Sequence, residues 1–170
     1  LGIGKATRLL RFITDLRKEY VATMVLGSET DTLDADGEIT ETTEILPSLS
    51  QLQESARTYV GDIQQVPPMV SAVKIKGKRL YQLAREGKEV HRDPRNVTIH
   101  HIAIDQSSEN NVYQIKVSCG SGTYIRSLVS DIAKSSGSLA HVGTLRRTAI
   151  GSFGESLANP IDGVEIISMS

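Results

Sequence analysis

Three consecutive units between residues 97 and 137 constrain this chain most. Val97 to Ile104 and Val112 to Cys119 are rich in β-branched and apolar residues and are separated by the polar run Asp105-Gln106-Ser107-Ser108-Glu109-Asn110-Asn111. That pattern predicts an antiparallel strand pair. Gly120-Ser121-Gly122 then supplies a tight turn, and Ile125, Leu128, Val129 and Ile132 recur at the helical period until Gly137. Arg126 and Ser130 fall off that apolar stripe. A strand, a glycine turn and an amphipathic helix thus deliver the Arg126 guanidinium to a fixed place, where a carboxylate or phosphate oxygen is its natural partner.

The flanking segments follow the same grammar. Leu9, Phe12, Ile13 and Leu16 predict a helix over about residues 5 to 16, and Tyr20 to Leu26 suits a buried strand ended by Gly27-Ser28 and an acidic loop through Gly37. Ser48 with Gln51, or Ser50 with Gln53, marks a capping box for a helix running to about Tyr59. Val66-Pro67-Pro68 reads as an extended connector, because proline removes a donor and restricts its predecessor. Beyond it, Val70 to Lys76 alternates like a strand, Gly77 turns the chain into a short helix with Leu80, Leu83 and Ala84, and Gly87 stops it. His141 to Phe153 is a final strand or strand pair. Strands run consecutively with helices interspersed, so the predicted class is α+β with a mixed, largely antiparallel sheet.

Composition narrows the function classes. The longest apolar runs fall far short of the ~20 residues that span a bilayer, and the single cysteine, Cys119, leaves neither a disulfide framework nor a thiol set for zinc. No secretory signal pattern is present, so a cytoplasmic setting is expected. The net charge of −1 hides an asymmetry: residues 74 to 95 carry eight basic and three acidic side chains, leaving a balance of −6 elsewhere. Such a run is as readily a solvated helix face as a polyanion-binding patch, and the residues alone leave both readings open.

The local motifs exclude more than they assign. Asp31-Thr32-Leu33-Asp34-Ala35-Asp36-Gly37 fails as a calcium loop, because placing Gly37 sixth puts threonine at positions one and twelve; an acidic loop bonded to its own backbone is expected instead. Gly120-Ser121-Gly122 is neither a nucleophile elbow nor a Walker loop. His100, His101 and His141 lack metal-ligand spacing. Tyr20 and Tyr124 have nothing local that makes them catalytic.

The segments taken together are more specific. Gly4-Lys5-Ala6-Thr7-Arg8, Lys18-Glu19-Tyr20, Gly27 with Thr30-Asp31-Thr32, Asp34-Ala35-Asp36-Gly37 and Gly61-Asp62-Ile63-Gln64-Gln65-Val66-Pro67-Pro68 come in this order. Ser71-Ala72-Val73-Lys74, Arg79-Leu80-Tyr81, Gly120 to Arg126 and His141-Val142-Gly143-Thr144-Leu145-Arg146-Arg147 complete the series. In order and spacing they resemble the bacterial tRNA pseudouridine-55 synthase (TruB) family.

The resemblance implies a cofactor-free, metal-free isomerase in which an aspartate attacks a uridine of the tRNA T loop, the glycosidic bond breaks and the uracil rejoins through carbon. It implies that Tyr20 packs on the flipped uracil and handles a proton, that Arg126 pairs with the nucleophilic aspartate, that Asp34 has a supporting role and that Leu145 lines the uracil pocket. The basic segment corresponds to an RNA-gripping insertion over about residues 62–96, with Lys74, Lys76, Lys78 and Arg79 on phosphates and Tyr81 packing or stacking. The T-arm stem-loop of tRNA is the implied partner and a monomer the implied state. The family's nucleophile motif, close to His-x-Gly-x-Leu-Asp-Pro, does not occur in these 170 residues. It is expected shortly before Leu1, so the chain reads as a partial catalytic domain, inactive alone and lacking the family's carboxy-terminal RNA-binding extension. The competing expectation is a non-catalytic RNA-binding module on the same scaffold.

Overall fold

The computed structural model describes residues 4–69, 71, 74–75, 78–79 and 91–158. Six strands form one sheet: β1 (Lys18–Leu26), β4 (Gly61–Gln65), β7 (Arg95–Gln106), β8 (Val112–Cys119), β9 (Ala140–Ile150) and β10 (Phe153–Gly154), in the order β10-β9-β1-β8-β7-β4. Every neighbouring pair in it is antiparallel. The two β-rich runs pair as their composition predicts, with Ile104 opposite Ile115 and Ile102 opposite Val117. Two small hairpins lie outside this sheet: β2 (Ser28–Thr30) with β3 (Ile39–Thr42), and β5 (Lys74–Ile75) with β6 (Lys78–Arg79).

Helices α2 (Leu49–Arg57) and α3 (Ile125–Ser135) cover one face of the sheet. The α3 stripe is buried throughout, with Leu128, Val129 and Ile132 at zero exposure against Met24 and Ile115 of the same core. α2 starts at the Ser48 capping box: Gln51 N–H donates to Ser48 Oγ while Ser48 N–H donates to Gln51 Oε1 at 2.8 Å. Its Gln53 donates to the Ile104 carbonyl of β7, and Tyr59 just beyond it donates to the Asp131 carbonyl of α3. α3 ends as the sequence predicts, with Gly137 at φ +78° and Ser138 N–H donating back to the Ala133 carbonyl.

Two expectations change. The amino-terminal helix is a 3₁₀ segment, Gly4–Leu9, followed by a short α1 (Leu10–Thr14), and Leu9 and Phe12 are more than half exposed. One α-turn cannot carry a full apolar stripe to the core, and Phe12 instead lies under the Arg11 guanidinium at 4.7 Å. Ser130, expected off the buried stripe, is 2% exposed because it donates to Glu29 Oε2 of β2 at 2.7 Å, which closes that flank of α3. After the proline connector a hairpin forms, with Lys78–Arg79 paired to Lys74–Ile75; the helix expected around Leu80, Leu83 and Ala84 lies outside the described residues.

Burial pushes the Asp131 carboxyl above its ordinary value, against the pull of Lys134, with Glu29 adding to the rise. A carboxyl raised in the folded state costs stability once ionised. The cost is absent below the unfolded value of about 3.9 and sets in as pH climbs through the raised folded one. Asp131→Asn is therefore expected to be more stable than the wild type at neutral pH and to lose that advantage toward pH 3, as read by urea unfolding across the range.

Candidate active site

The site is built at the amino-terminal end of α3. Gly120 N–H donates to the Thr98 carbonyl of β7 at 2.8 Å, Gly122 takes φ +80°, and Thr123 Oγ1 donates to the Gly120 carbonyl. This turn ends at Tyr124, the N-cap of α3, whose backbone is extended and whose side chain makes no capping bond. The cap is supplied from elsewhere: Tyr124 N–H donates to Gln65 Oε1 at 2.7 Å and Gln65 Nε2 donates to the Tyr124 carbonyl at 3.0 Å. Arg126 then projects from the first turn toward the acidic loop.

Arg126 Nη1 donates to Asp34 Oδ2 at 2.7 Å and to the Thr32 carbonyl at 2.9 Å. The two side chains are 19% and 25% exposed, so this pair is screened far less than a surface ion pair. Asp34 is held on its other oxygen as well. Thr32 Oγ1 donates to Oδ1 at 2.6 Å and Asp36 N–H to the same atom at 3.2 Å. The loop bonds its own backbone, as its composition predicts: Thr30 Oγ1 donates to the Asp34 carbonyl and Glu38 N–H to Asp31 Oδ1. Leu33, at φ +61°, and Ala35 exchange bonds with Val142 of β9, which pins the loop to the sheet. A carboxylate with both oxygens engaged this way holds the guanidinium at a fixed orientation.

β9 links this brace to the apolar part of the site. Three residues beyond Val142, Leu145 stands opposite Ala22 of β1 and is 46% exposed; Arg147 stands opposite Tyr20. Opposed residues share a face, so Tyr20, Leu145 and Arg147 lie on the face that the helices cover. Tyr20 is half-buried against the core cluster.

The predicted residues therefore fall into two connected groups, Arg126 with Asp34 and Tyr20 with Leu145, joined through β9. Of the basic residues, Lys74, Lys78 and Arg79 lie in the β5–β6 hairpin, whereas Lys76 and Tyr81 lie outside the described residues. Sequence reasoning assigned no role to Gln65, Thr32 or Ser127. Gln65 gave no signal beyond its place before two prolines, since a polar residue at a strand end is ordinarily exposed; here it is 2% exposed. Ser71 Oγ, near the same connector, is buried without a hydrogen-bond partner among the described residues. Among the described residues no group of three His, Cys, Asp or Glu side chains is placed to hold a metal ion. No helix among them is long and apolar enough to cross a membrane.

Known proteins agree with this architecture. Residues 1–125 match the family model described as TruB family pseudouridylate synthase (N terminal domain). The tRNA pseudouridine synthase B of Oceanobacillus iheyensis is 42% identical over 166 residues, covering 96% of this chain and 55% of that protein. That of Methylobacillus flagellatus is 42% identical over 168 residues, covering 99% and 55%; that of Caulobacter sp. strain K31 is 36% identical, covering 99% and 54%. The chain thus spans about half the length of the curated relatives it matches. Among solved structures, a chain of a Cbf5–Nop10–Gar1 complex superposes with a TM-score of 0.62 at 29% identity, over 90% of this chain and 36% of that one. An H/ACA ribonucleoprotein bound to a substrate RNA containing 2'-deoxyuridine shares the fold, with a TM-score of 0.58 at 24% identity.

The acidic loop closes tightly on Gly37, where an added Cβ would strike Thr32 Oγ1 and Asp31 Oδ1 and come within 3.0 Å of the Thr32 backbone nitrogen. Gly37→Ala is expected to cost about 1–3 kcal/mol in urea unfolding, because a clash with backbone is not relieved by a rotamer change.

Proposed function

Because the chain belongs to the TruB family of pseudouridylate synthases, we propose that it forms the greater part of the catalytic domain of a tRNA pseudouridine synthase acting on a T-loop uridine, position 55. The observation that carries this reading is the braced guanidinium: Arg126 fixed at a capped helix start, half-sheltered from water, with Asp34 holding it in place. A planar fork of five donors can serve more than one oxygen, so the group that braces on Asp34 can also keep a nucleophilic carboxylate ionised and oriented. Tyr20 and Leu145, neighbours across β1 and β9, supply an aromatic and an apolar wall for a uracil turned out of its stack. In the proposed reaction the aspartate carboxylate bonds to ribose C1' as the bond from C1' to uracil N1 breaks, the ring turns, a new bond from C1' to C5 displaces the carboxylate, and N1 ends protonated. Tyr20 handles the proton lost from C5 during the rearrangement. No cofactor is required by this balance.

The nucleophile belongs to the motif expected before Leu1, and residues 62–96 act as the RNA-gripping insertion, with Lys74, Lys76, Lys78 and Arg79 on phosphates. The working site is the cytoplasm, where a lone, buried Cys119 remains a thiol. The 170-residue chain is expected to give no pseudouridine from a T-arm stem-loop, while the protein carrying its upstream residues gives full conversion. In that longer protein Arg126→Ala is expected to slow the reaction at least about 100-fold, the scale of losing one preorganised charge contact. An unchanged rate removes Arg126 from the chemistry.

Binding is expected to be salt-sensitive. Four phosphate contacts give a slope of roughly −3 in log K against log salt. Salt-sensitive binding by the longer protein without any turnover would favour the non-catalytic RNA-binding module.

A further inference from the structure

Three contacts that the proposed chemistry does not use tie down the end of β4 and the connector after it, two of them to the start of α3. The first is the two-bond clamp between the Gln65 carboxamide and the Tyr124 peptide, with the N–H bonded at 2.7 Å and the carbonyl at 3.0 Å. The second is Ser127 Oγ, which donates to the Val66 carbonyl at 3.0 Å. The third is Arg92 Nη1, which donates to the Pro67 carbonyl at 3.0 Å. Three successive residues leaving β4 are thus each tied down, two to α3 and one to Arg92, three residues ahead of β7.

The clamp is specific in form. A glutamine amide offers one acceptor and two donors, and here both kinds are directed at a single residue's backbone inside the protein, where Gln65 is 2% exposed. One hydrogen bond would fix a distance; two from one planar group also fix an orientation. The clamped residue is the N-cap, and its carbonyl accepts the first helical bond from Leu128 N–H at 3.1 Å. Tyr124 has no side-chain cap of its own, so the carboxamide takes the place that Ser, Thr or Asp fills at an ordinary helix start. Arg126 lies two residues later. Each helical residue turns the chain by about 100°, so a slip at the cap swings the guanidinium off Asp34.

We propose that Gln65 is a positioning residue for Arg126: its carboxamide sets the phase of the first turn of α3 and ties that turn to the root of the basic insertion. The catalytic part of this proposal rests on the isomerase reading; the positioning part does not.

The test uses the protein carrying its upstream residues, with Gln65→Leu, which abolishes both bonds, and Gln65→Glu, which keeps the acceptor and loses the donor. Two measurements are made at a temperature where circular dichroism shows each variant folded; if Gln65→Leu does not fold, Gln65→Glu carries the comparison. In arginine-labelled NMR spectra, the Arg126 side-chain N–H is expected to exchange at least tenfold faster in either variant. Single-turnover isomerisation of a T-arm stem-loop is expected to fall at least tenfold, with the RNA dissociation constant within about twofold of wild type. A merely stabilising glutamine would lower the melting temperature and leave both readouts intact. Adding Gln65→Leu or Gln65→Glu to Arg126→Lys is expected to slow the reaction no further than twofold, because both changes remove the same placement.

An Arg126 signal indifferent to Gln65, or rate losses that multiply in the double variant, overturns the proposal. A responsive Arg126 signal in a wild-type protein that makes no pseudouridine overturns the isomerase reading and leaves the positioning role standing.

Discussion

Burial of Leu128, Val129 and Ile132 against the sheet is the interaction on which the rest of this molecule depends, since α3 reaches every other part of the site through that contact. Each such side chain contributes about 1.5–3 kcal/mol on leaving water, and the three occupy one stripe, so the helix has one rotation that satisfies them all. That rotation places Arg126 and Ser130 on the flanks. Both flanking residues then meet acidic partners, Asp34 and Glu29, from the segment that follows β1. Apolar packing sets the helix on the sheet, and the polar contacts at its edges fix the acidic loop relative to it.

The acidic loop has a geometry its charge alone would not give. Several carboxylates close together repel one another, and the fold answers by giving individual oxygens donors of their own: Thr32 and Asp36 at one oxygen of Asp34, Arg126 at the other, and Glu38 N–H at Asp31. The exchange of bonds with Val142 anchors this arrangement near the start of β9. Leu145 follows on the same strand, so a displacement of the loop and a displacement of the apolar wall are movements of one element.

How much was legible from sequence varied with the range of the cause. The β7–β8 pair, the Ser48 capping box and the Gly137 helix stop depend on neighbours a few residues away, and composition and spacing located them well. The Leu9–Phe12–Leu16 stripe looked equally regular, yet the helix there has only five α-residues and two of its apolar positions face solvent. Periodicity reports which residues share a face and is silent on whether anything covers it. The Arg126–Asp34 pair spans 92 residues of sequence and the Gln65 clamp 59, so neither follows from local rules. Arg126 stood out because arginine in a first helical turn needs an oxyanion, and its partner in this chain emerged only from the packing. Gln65 stood out not at all, because the property that matters is its burial.

The bond from Arg92 to the Pro67 carbonyl joins positions 25 residues apart and lies beside the last β4–β7 pair, Gln65 with Arg95. Positions 67 and 92 are therefore held together, and the chain between them leaves and re-enters the fold at one place beside α3. Six of the chain's lysines and arginines fall between those two positions in the sequence. A pull on that segment is thus delivered to the fold at one place, beside the first turn of α3.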